Sequence, residues 1–410
     1  MNKKKIINDP VYGFIALPSE IIFDIIEHPW FQRLRRIQQL GLSGLVYPGA
    51  QHSRFQHAIG AVHLMNASLE VLRSKGISIT DAEAEAVMIA ILMHDIGHGP
   101  FSHTLEQTIV NGIHHEELSL LFMERMNQKM NGKLSLAIKI FTDKYHKKFL
   151  HQLVSGQLDM DRLDYLNRDS FFSGVAEGVI GYDRIIKMLT VHKGELVVEA
   201  KGIYSIEKFI VSRRLMYWQV YLHKTVLSAE QMLVQILRRA RELCMSGNEL
   251  FSSPALKYFL SGKILRKDFL SKENVLVQFA SIDDVDVIGA IKVWQSHPDK
   301  ILSFLSKCLV NRKLFRIELQ ETPFDSKKIE KIKNQVMNKF QVNETEVKHL
   351  MFAESTSNNA YDPKIDQIKI LMKDGKVKDI TRASDQLNIS LLAEPVVKYY
   401  LCVPREIKLK

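Results

Sequence analysis

Apolar residues recur at helical spacing along most of the first 245 positions, and this pattern predicts a mainly α-helical fold. The most apolar segment, Ala86 to Met93, predicts a buried helix. Its start is marked by Thr80 with Glu83 three residues later, a pair that can satisfy the free N–H groups of a first helical turn. Gly97 and Pro100 should end it, because neither residue favours a continuing helix.

The remaining elements follow from the same periodicities. Further helices are predicted over Pro29 to Leu40, Arg54 to Leu72, Lys147 to Asn167 and, in two pieces, Ser205 to Leu243. Strands are predicted in a hairpin over Leu189 to Ala200, then at Leu314 to Leu319, Ile368 to Met372 and Val396 to Val403, with a helix at Ser326 to Phe340 and a loop at Glu354 to Pro363. We therefore expect a large helical domain (1–245), a helical extension (246–313) and a smaller α+β C-terminal region (314–410).

Composition narrows the class of protein only moderately. The net charge of +10 suits phosphate-bearing ligands, but the basic residues are spread along the chain, so nucleic acid is not specifically indicated. The three cysteines have no metal-binding or redox spacing, which suits a reducing compartment. No stretch approaches the roughly 18 apolar residues needed to span a bilayer, so we expect a cytoplasmic protein with no membrane contact.

Ionisable residues gather where the most apolar helix should end. His94, Asp95, His98 and His103 lie within ten residues directly after that segment. Burying such groups costs several kcal/mol unless they are paired or bind a metal. A hydrogen-bonded histidine network would also satisfy them, but four such groups interrupted by glycines favour a functional site.

A metal site is the simplest chemistry for this cluster. His57 and Asp161 belong to two other predicted helical regions, and with His94 and Asp95 they offer two imidazoles and two carboxylates. Mixed nitrogen and oxygen ligation suits iron, manganese, zinc or nickel better than an all-oxygen magnesium site. The residues alone thus indicate phosphoester or phosphoanhydride hydrolysis at a transition metal.

Several short motifs carry a resemblance to a known family. They are Phe31 to Arg35, Gln39 to Gly41, Tyr47 to Ala50, Arg54 to His57, His94 to His103, His115-Glu116, Asp159 to Tyr165 and Tyr221 to Lys224. Together they resemble the deoxynucleoside triphosphate triphosphohydrolases of the HD-domain superfamily, in the branch of the human antiviral dNTP hydrolase. The resemblance covers about residues 5–240, and it implies a helical HD-domain core for the first predicted domain.

The resemblance implies roles for individual residues. The metal ligands would be His57, His94, Asp95 and Asp161, and the catalytic group would be His98, His103, His115, Glu106 and Glu116. His103 would be the general acid toward the leaving oxygen, oriented by Glu106, while Glu116 would support His115. Magnesium would accompany the substrate phosphates.

A second set of residues would bind the nucleotide. It consists of Gln39, Arg54, Arg162, Tyr165, Asp169, Arg213, Tyr221, His223 and Lys224. Arg54 and Lys224 would contact phosphates, Gln39 and Asp169 would bind the 3′-hydroxyl, and Tyr221 would crowd the 2′-position and favour deoxyribose. We assign His52 a structural role.

Regulation and assembly are also implied by the resemblance. Two elements, Lys5 with Asn8-Asp9-Pro10 and Gln32 with Arg35, match those that bind an activating guanine nucleotide between subunits, although Glu27 replaces the expected aspartate. The long apolar stretch from Ser205 to Leu243 should be partly buried in a homodimer or homotetramer.

Two other functions remain open from the sequence. The same metal site would serve an HD phosphohydrolase acting on another nucleotide or on a phosphodiester. A nucleotide-binding or nucleic-acid-binding regulator with little turnover is the third alternative. The complete set of additional histidines argues against it, because a protein that only binds has no use for a proton donor.

Overall fold

Helices make up most of this computed structural model, which confirms the prediction of a mainly α fold. The structure describes residues 5–101, 108, 110, 112–364, 366–385 and 394–409. The described helices are α1 (Glu20–Glu27), α2 (Pro29–Gln32), α3 (Arg54–Ser74), α4 (Asp81–Met93), α5 (His115–Lys129), α6 (Ser135–Phe141), α7 (Lys148–Val154), α8 (Met160–Ser173), α9 (Tyr182–Met188), α10 (Ile203–Met216), α11 (Lys224–Met245), α12 (Pro254–Ser261), α13 (Arg266–Ser271), α14 (Glu273–Phe279), α15 (Asp284–Trp294), α16 (Lys300–Val310), α17 (Ser326–Phe340) and α18 (Ile380–Ala383).

The described strands form three small sheets. They are β1 (Ile6–Asp9), β2 (Gly13–Ala16), β3 (Leu189–His192), β4 (Glu195–Glu199), β5 (Arg316–Gln320), β6 (Phe352–Asn358), β7 (Lys369–Leu371), β8 (Val377–Asp379) and β9 (Val396–Val403). Strands β1 and β2 make an antiparallel hairpin, and the orders of the other sheets are β3-β4-β7-β8 and β5-β9-β6. The β4–β7 pair is parallel, with Val198 opposite Ile370. A strand from the predicted C-terminal region thus completes a sheet that begins in the helical domain, while the predicted domain boundaries stay a prediction.

Helix α4 lies in the centre of the helical core, against α3. Ten of its residues are buried, and the predicted pair at its start is present, with Thr80 N donating to Glu83 Oε2 at 2.8 Å and Glu83 N donating to Thr80 Oγ1 at 3.2 Å. Burying apolar side chains on every face stabilises such a helix only inside a core. His94 follows at its C-terminal end, so the polar cluster is carried into the interior.

Three sequence predictions about local structure are wrong. The helix predicted over Pro29 to Leu40 ends at Gln32 and continues as a 3₁₀ turn to Arg36, because the backbone then becomes extended and pairs with the segment before α3, with Gln39 N donating to His52 O and Arg54 N donating to Ile37 O, both at 2.9 Å. The helix predicted over Lys147 to Asn167 is divided into α7 and α8. The loop predicted from Glu354 to Pro363 begins as strand β6, which pairs with β9 along its length.

The break between α7 and α8 has a clear local cause. Asp159 caps the second helix, accepting from Arg162 N at 2.7 Å and from Gly156 N at 2.9 Å. The bond from Arg162 satisfies a first-turn N–H of α8, and the bond from Gly156 holds the preceding loop against the cap, so a new helix begins at this point. Among the described helices, none combines the length and the apolar character needed to cross a bilayer.

Candidate metal centre

Three helices deliver the predicted metal ligands to one point. Helix α3 starts after Ser53, whose N–H donates to Gln56 Oε1 at 2.8 Å, and His57 lies in its first turn, fully buried. His94 caps the C-terminal end of α4. Asp161 lies in the first turn of α8. The caps fix where each helix begins or ends, and therefore where these side chains meet.

The nitrogen and oxygen atoms of this group are close enough to share one ion. Ligand atoms of His57, His94 and Asp161 all lie within 4.8 Å of one another. Asp161 Oδ1 is 3.1 Å from His57 Nε2 and 3.4 Å from His94 Nε2. Both Nε2 atoms are buried, and neither makes a hydrogen bond to any described residue. Buried imidazole nitrogens that make no hydrogen bond are costly, and a divalent cation would satisfy both.

The far sides of the two imidazoles are held by fixed partners. His94 Nδ1 lies 2.6 Å from the carbonyl oxygen of Ile91, and His57 Nδ1 lies 2.7 Å from Asp164 Oδ2. A carbonyl oxygen only accepts, so His94 must carry its proton on Nδ1. Each contact leaves Nε2 directed toward the shared point, as in metal sites whose histidines are oriented by an outer shell.

Asp95 lies at the edge of the cluster. Its Oδ1 is 3.3 Å from His94 Nε2 and also 3.3 Å from His98 Nε2, whereas its Oδ2 is 3.9 Å from His57 Nε2. Arg54 donates a hydrogen bond to Oδ2. The guanidinium thus neutralises this carboxylate, and its role as fourth ligand stays a prediction.

Electrostatics around the cluster favour a cation. Burial lowers the pKa of His57, but the neighbouring carboxylates of Asp161 and Asp164 outweigh burial and raise that pKa to about 10. Burial likewise lowers the pKa of His94, and the charges of Asp95 and Asp161 raise it to about 8. The carboxylates thus hold positive charge on the imidazoles, and a divalent cation would take the place of those protons.

The cluster opens onto a cleft of about 440 Å³, within the size range of small-molecule sites. His94, Asp95, His115, Glu116 and Asp161 are among the residues that line it. Next to them, His98 stacks on His115 with ring centroids 3.9 Å apart. Burial and the nearby Arg54 lower the pKa of His98 to about 3, so its imidazole is neutral at physiological pH.

Part of the predicted nucleotide-binding set forms a second cluster. Tyr221 donates to Asp169 Oδ2 at 2.8 Å, and His52 Nε2 lies 2.7 Å from Asp169 Oδ1. Tyr165 meets the Tyr221 ring edge-on, with centroids 6.2 Å apart. The buried Oε1 of Gln39 makes no hydrogen bond to any described residue. His52, which we assigned a structural role, therefore contacts a residue of the predicted sugar site.

The other predicted substrate-binding residues make contacts that do not define a nucleotide site. Arg162 pairs with Asp159, and Arg213 donates to Gln157 Oε1 at 3.0 Å. His223 accepts from Thr225 N at 3.2 Å and so caps α11, whose first residue, Lys224, is exposed. Their predicted roles are neither supported nor opposed by these contacts. The predicted general acid His103 and its partner Glu106 lie outside the described residues.

The predicted effector residues lie near the start of the chain. Gln32 Nε2 donates to Ile26 O at 2.8 Å, beside Glu27 at the end of α1. Arg35 donates to Gln32 Oε1 at 2.8 Å, and Lys5 lies over the Phe23 ring of α1. Gln32 and Arg35 thus lie at the end of α1, Lys5 contacts the same helix at Phe23, and the effector role stays a prediction.

Sequence reasoning missed the residues that support this site from behind. Asp164 and Arg168 lie on α8, both fully buried and joined by two hydrogen bonds of 2.9 and 3.1 Å. Their signal was the spacing of Asp161, Asp164 and Arg168, which predicts neighbouring positions on one helix face. Asp284, which accepts from Phe101 N at 3.1 Å, had no local signal.

Comparison with known proteins agrees with this geometry. The profile described as HD domain matches residues 54–169, and the profile described as HD associated region matches residues 180–253. A crystal structure of a phosphohydrolase from Bacteroides thetaiotaomicron is 56% identical over 98% of this chain and 100% of that one, with a TM-score of 0.94. This chain belongs to the HD-domain phosphohydrolase family.

Two further relatives are less similar in sequence. The uncharacterized protein YwfO of Bacillus subtilis is 30% identical over 94% of this chain and 88% of its own length. The deoxynucleoside triphosphate triphosphohydrolase SAMHD1 homolog of Dictyostelium discoideum is 31% identical over 66% of this chain and 56% of its own length. The chain therefore spans about half of that named hydrolase.

Proposed function

We propose that this protein is a metal-dependent hydrolase that converts dNTPs to deoxynucleosides and triphosphate. The observation that carries the proposal is the convergence of the buried Nε2 atoms of His57 and His94 on Asp161 Oδ1, next to a ligand-sized cleft lined by His94 and Asp161. Similarity to a protein named as a dNTP triphosphohydrolase supports the choice of substrate.

The metal and a neighbouring arginine would act on the phosphate groups of the substrate. Iron, manganese, zinc or nickel held by His57, His94, Asp161 and Asp95 would supply Lewis-acid polarisation of a phosphoryl oxygen and of a water molecule. Arg54, buried against Asp95, meets the negative charge that develops on a phosphoryl group nearby. Magnesium would accompany the substrate phosphates in solution.

Proton transfer is assigned to three histidines, His98, His103 and His115. His103 gives a proton to the leaving oxygen, with Glu106 orienting it. The neutral His98, stacked on His115, is suited to accept or donate a hydrogen bond without adding positive charge beside Arg54. Glu116, exposed on the cleft wall, is assigned to support His115.

Sugar selection is assigned to the second cluster. Asp169, held between His52 and Tyr221, keeps a fixed carboxylate for the 3′-hydroxyl. The Tyr221 ring would crowd a 2′-hydroxyl, so that a ribonucleotide fits less well. Gln39 offers its unpartnered amide oxygen to the same sugar.

A panel of nucleotides tests this proposal. The full-length protein, with its metal content measured, is incubated with each dNTP, ATP, dAMP and a phosphodiester, and products are separated by anion exchange. We expect tripolyphosphate and deoxynucleoside from dNTPs. Release of single phosphates, or turnover confined to dAMP or the diester, would favour another HD phosphohydrolase activity. No turnover with tight nucleotide binding would favour a regulator.

Assembly and regulation belong to the same proposal. We expect a cytoplasmic homodimer or homotetramer whose activity responds to a nucleotide effector bound near Lys5, Glu27, Gln32 and Arg35. If the effector favours the assembled state, it must change both the oligomer distribution and the rate, because coupling between sites is reciprocal. Light scattering and dNTP hydrolysis with and without added GTP or dNTPs check this, and a monomer whose rate ignores every added nucleotide would contradict it.

A further inference from the structure

The turn of the N-terminal hairpin is closed by one buried carboxylate that has two separate tasks. Asp9 is 6% exposed, and its Oδ1 accepts from the N–H groups of Val11 and Tyr12 at 2.9 and 3.0 Å. Its other oxygen, Oδ2, accepts from Arg168 Nη1 at 2.7 Å. One oxygen therefore builds the turn, while the other contacts a fully buried guanidinium on α8.

That guanidinium continues inward toward the metal centre. Arg168 binds Asp164 through two nitrogen atoms, with Nε 2.9 Å from Oδ2 and Nη2 3.1 Å from Oδ1. The same Oδ2 of Asp164 lies 2.7 Å from His57 Nδ1. Asp9, Arg168, Asp164 and His57 thus form one continuous buried chain from the hairpin turn to a predicted metal ligand, which we name the hairpin–metal relay.

Helix α3 is shaped around this chain. A Cβ atom added at Gly60, one turn after His57, would run into both Arg168 and Asp164. The neighbouring Tyr12 of the hairpin turn stacks on His63 of the same helix, with ring centroids 5.1 Å apart. The absence of a side chain at Gly60 makes room for the ion pair, and the turn covers it.

The charges in the relay explain how Asp9, at its outer end, can affect the metal centre. Arg168 is shared by two carboxylates, and removing one of them leaves a buried cation with an unmatched face, which is strongly unfavourable. The guanidinium would then bind Asp164 more tightly or shift toward the position that the Asp9 carboxylate had occupied. Either change alters the hydrogen bond that directs His57 Nε2 toward the metal.

We propose that Asp9, Arg168 and Asp164 are positioning residues for the metal centre, so that docking of the N-terminal hairpin and metal binding are thermodynamically coupled. The proposal rests on the metal site of the proposed function, and it goes beyond that function in making the hairpin part of the site. By reciprocity, metal should stabilise the docked hairpin as much as the docked hairpin tightens metal binding.

The first test is Asp9→Asn in the full chain. Asparagine keeps an oxygen for Val11 and Tyr12 but turns an NH₂ group toward Arg168, so it cuts the relay and leaves the turn intact. Chelator competition with Mn²⁺ should give about tenfold weaker binding than wild type, at the low end of the effect of outer-shell partners. Asp24→Asn, which removes an exposed carboxylate of α1, is the charge-matched control and should bind as wild type does.

The second test measures the coupling from the other end. Hydrogen exchange of the amides in residues 6–16 should slow when Mn²⁺ is added to wild type, and the effect should be much smaller in Asp9→Asn. If Asp9→Asn does not fold, the wild-type comparison with and without Mn²⁺ decides alone, and unchanged exchange overturns the inference.

The outcomes separate this inference from the proposed function. Wild-type protein that binds no metal would overturn the metal site itself. Metal bound equally tightly by wild type and Asp9→Asn, with hairpin exchange insensitive to Mn²⁺, would overturn only the relay. Failure to hydrolyse dNTPs leaves both metal measurements unaffected, because neither uses a nucleotide.

Discussion

Asp284 provides a stability prediction with a definite pH dependence. It is the first residue of α15 and is 8% exposed. Its two oxygens accept from Phe101 N at 3.1 Å and from Gln38 N at 2.9 Å. This carboxyl group from the helical extension therefore holds the backbone three residues beyond His98. Replacing it in Asp284→Asn removes one acceptor and the ionisable group together.

The size of the change in stability with pH follows from the burial of the Asp284 carboxyl group. Burial raises the pKa of Asp284 from 3.8 to about 7, against the opposing effect of the two N–H donors. The folded protein therefore keeps a proton that the unfolded chain loses, and this stabilising contribution disappears as the pH rises through the folded pKa. At about 1.4 kcal/mol per tenfold change in proton affinity, the free energy of unfolding should fall by about 2–3 kcal/mol between pH 5 and pH 8 through this group.

Urea unfolding of wild type and Asp284→Asn between pH 5 and pH 8 measures the effect. The stability of wild type relative to the variant should decrease by about 2–3 kcal/mol as the pH rises, on top of a pH-independent loss in the variant of about 1–3 kcal/mol for the missing acceptor. Asp24→Asn should keep the wild-type slope. Parallel pH profiles for wild type and Asp284→Asn would refute the argument that burial holds a proton on this carboxyl.

Three further predictions address the site directly. His103→Ala should keep metal and substrate binding while turnover falls by about 10²- to 10⁴-fold, and unchanged turnover would assign proton donation elsewhere. Tyr221→Ala should bring the rates on ATP and dATP closer together, whereas Tyr204→Ala, at an exposed position, should not. Gly97→Ala should lower the free energy of unfolding by about 1–3 kcal/mol, because its Cβ would run into the start of α5. Gly289→Ala, whose Cβ would meet open space, should leave the free energy of unfolding unchanged, and urea unfolding of both variants measures the difference.

Local chemistry made much of the fold predictable. The apolar run and the pair Thr80 and Glu83 define α4 before any contact is known, and the structure has the same bounding pair. The hairpin predicted around Lys193 and Gly194 is present as β3 and β4, with His192 opposite Glu195. Each of these features depends on residues a few positions apart, so the sequence is sufficient to identify them.

Contacts between distant segments could not be read from the sequence. Asp9 and Arg168 are 159 positions apart, and Gln38 and Asp284 are 246 positions apart. No periodicity of apolar residues relates such pairs. Each residue, taken alone, is of a type that is common in turns or at helix caps. The predicted metal ligands were found because of a motif, whereas the residues that orient them become visible only when the helices are in place.

Metal dependence of triphosphate release tests the central claim most directly. Wild-type protein is stripped with a chelator, reloaded with one transition metal at a time, and assayed for tripolyphosphate release from dATP beside His94→Ala/Asp95→Ala. We expect no release from stripped wild type, recovery with at least one metal, and neither bound metal nor release in the variant. Equal tripolyphosphate release by the stripped protein, or wild-type metal content in the variant, would contradict it.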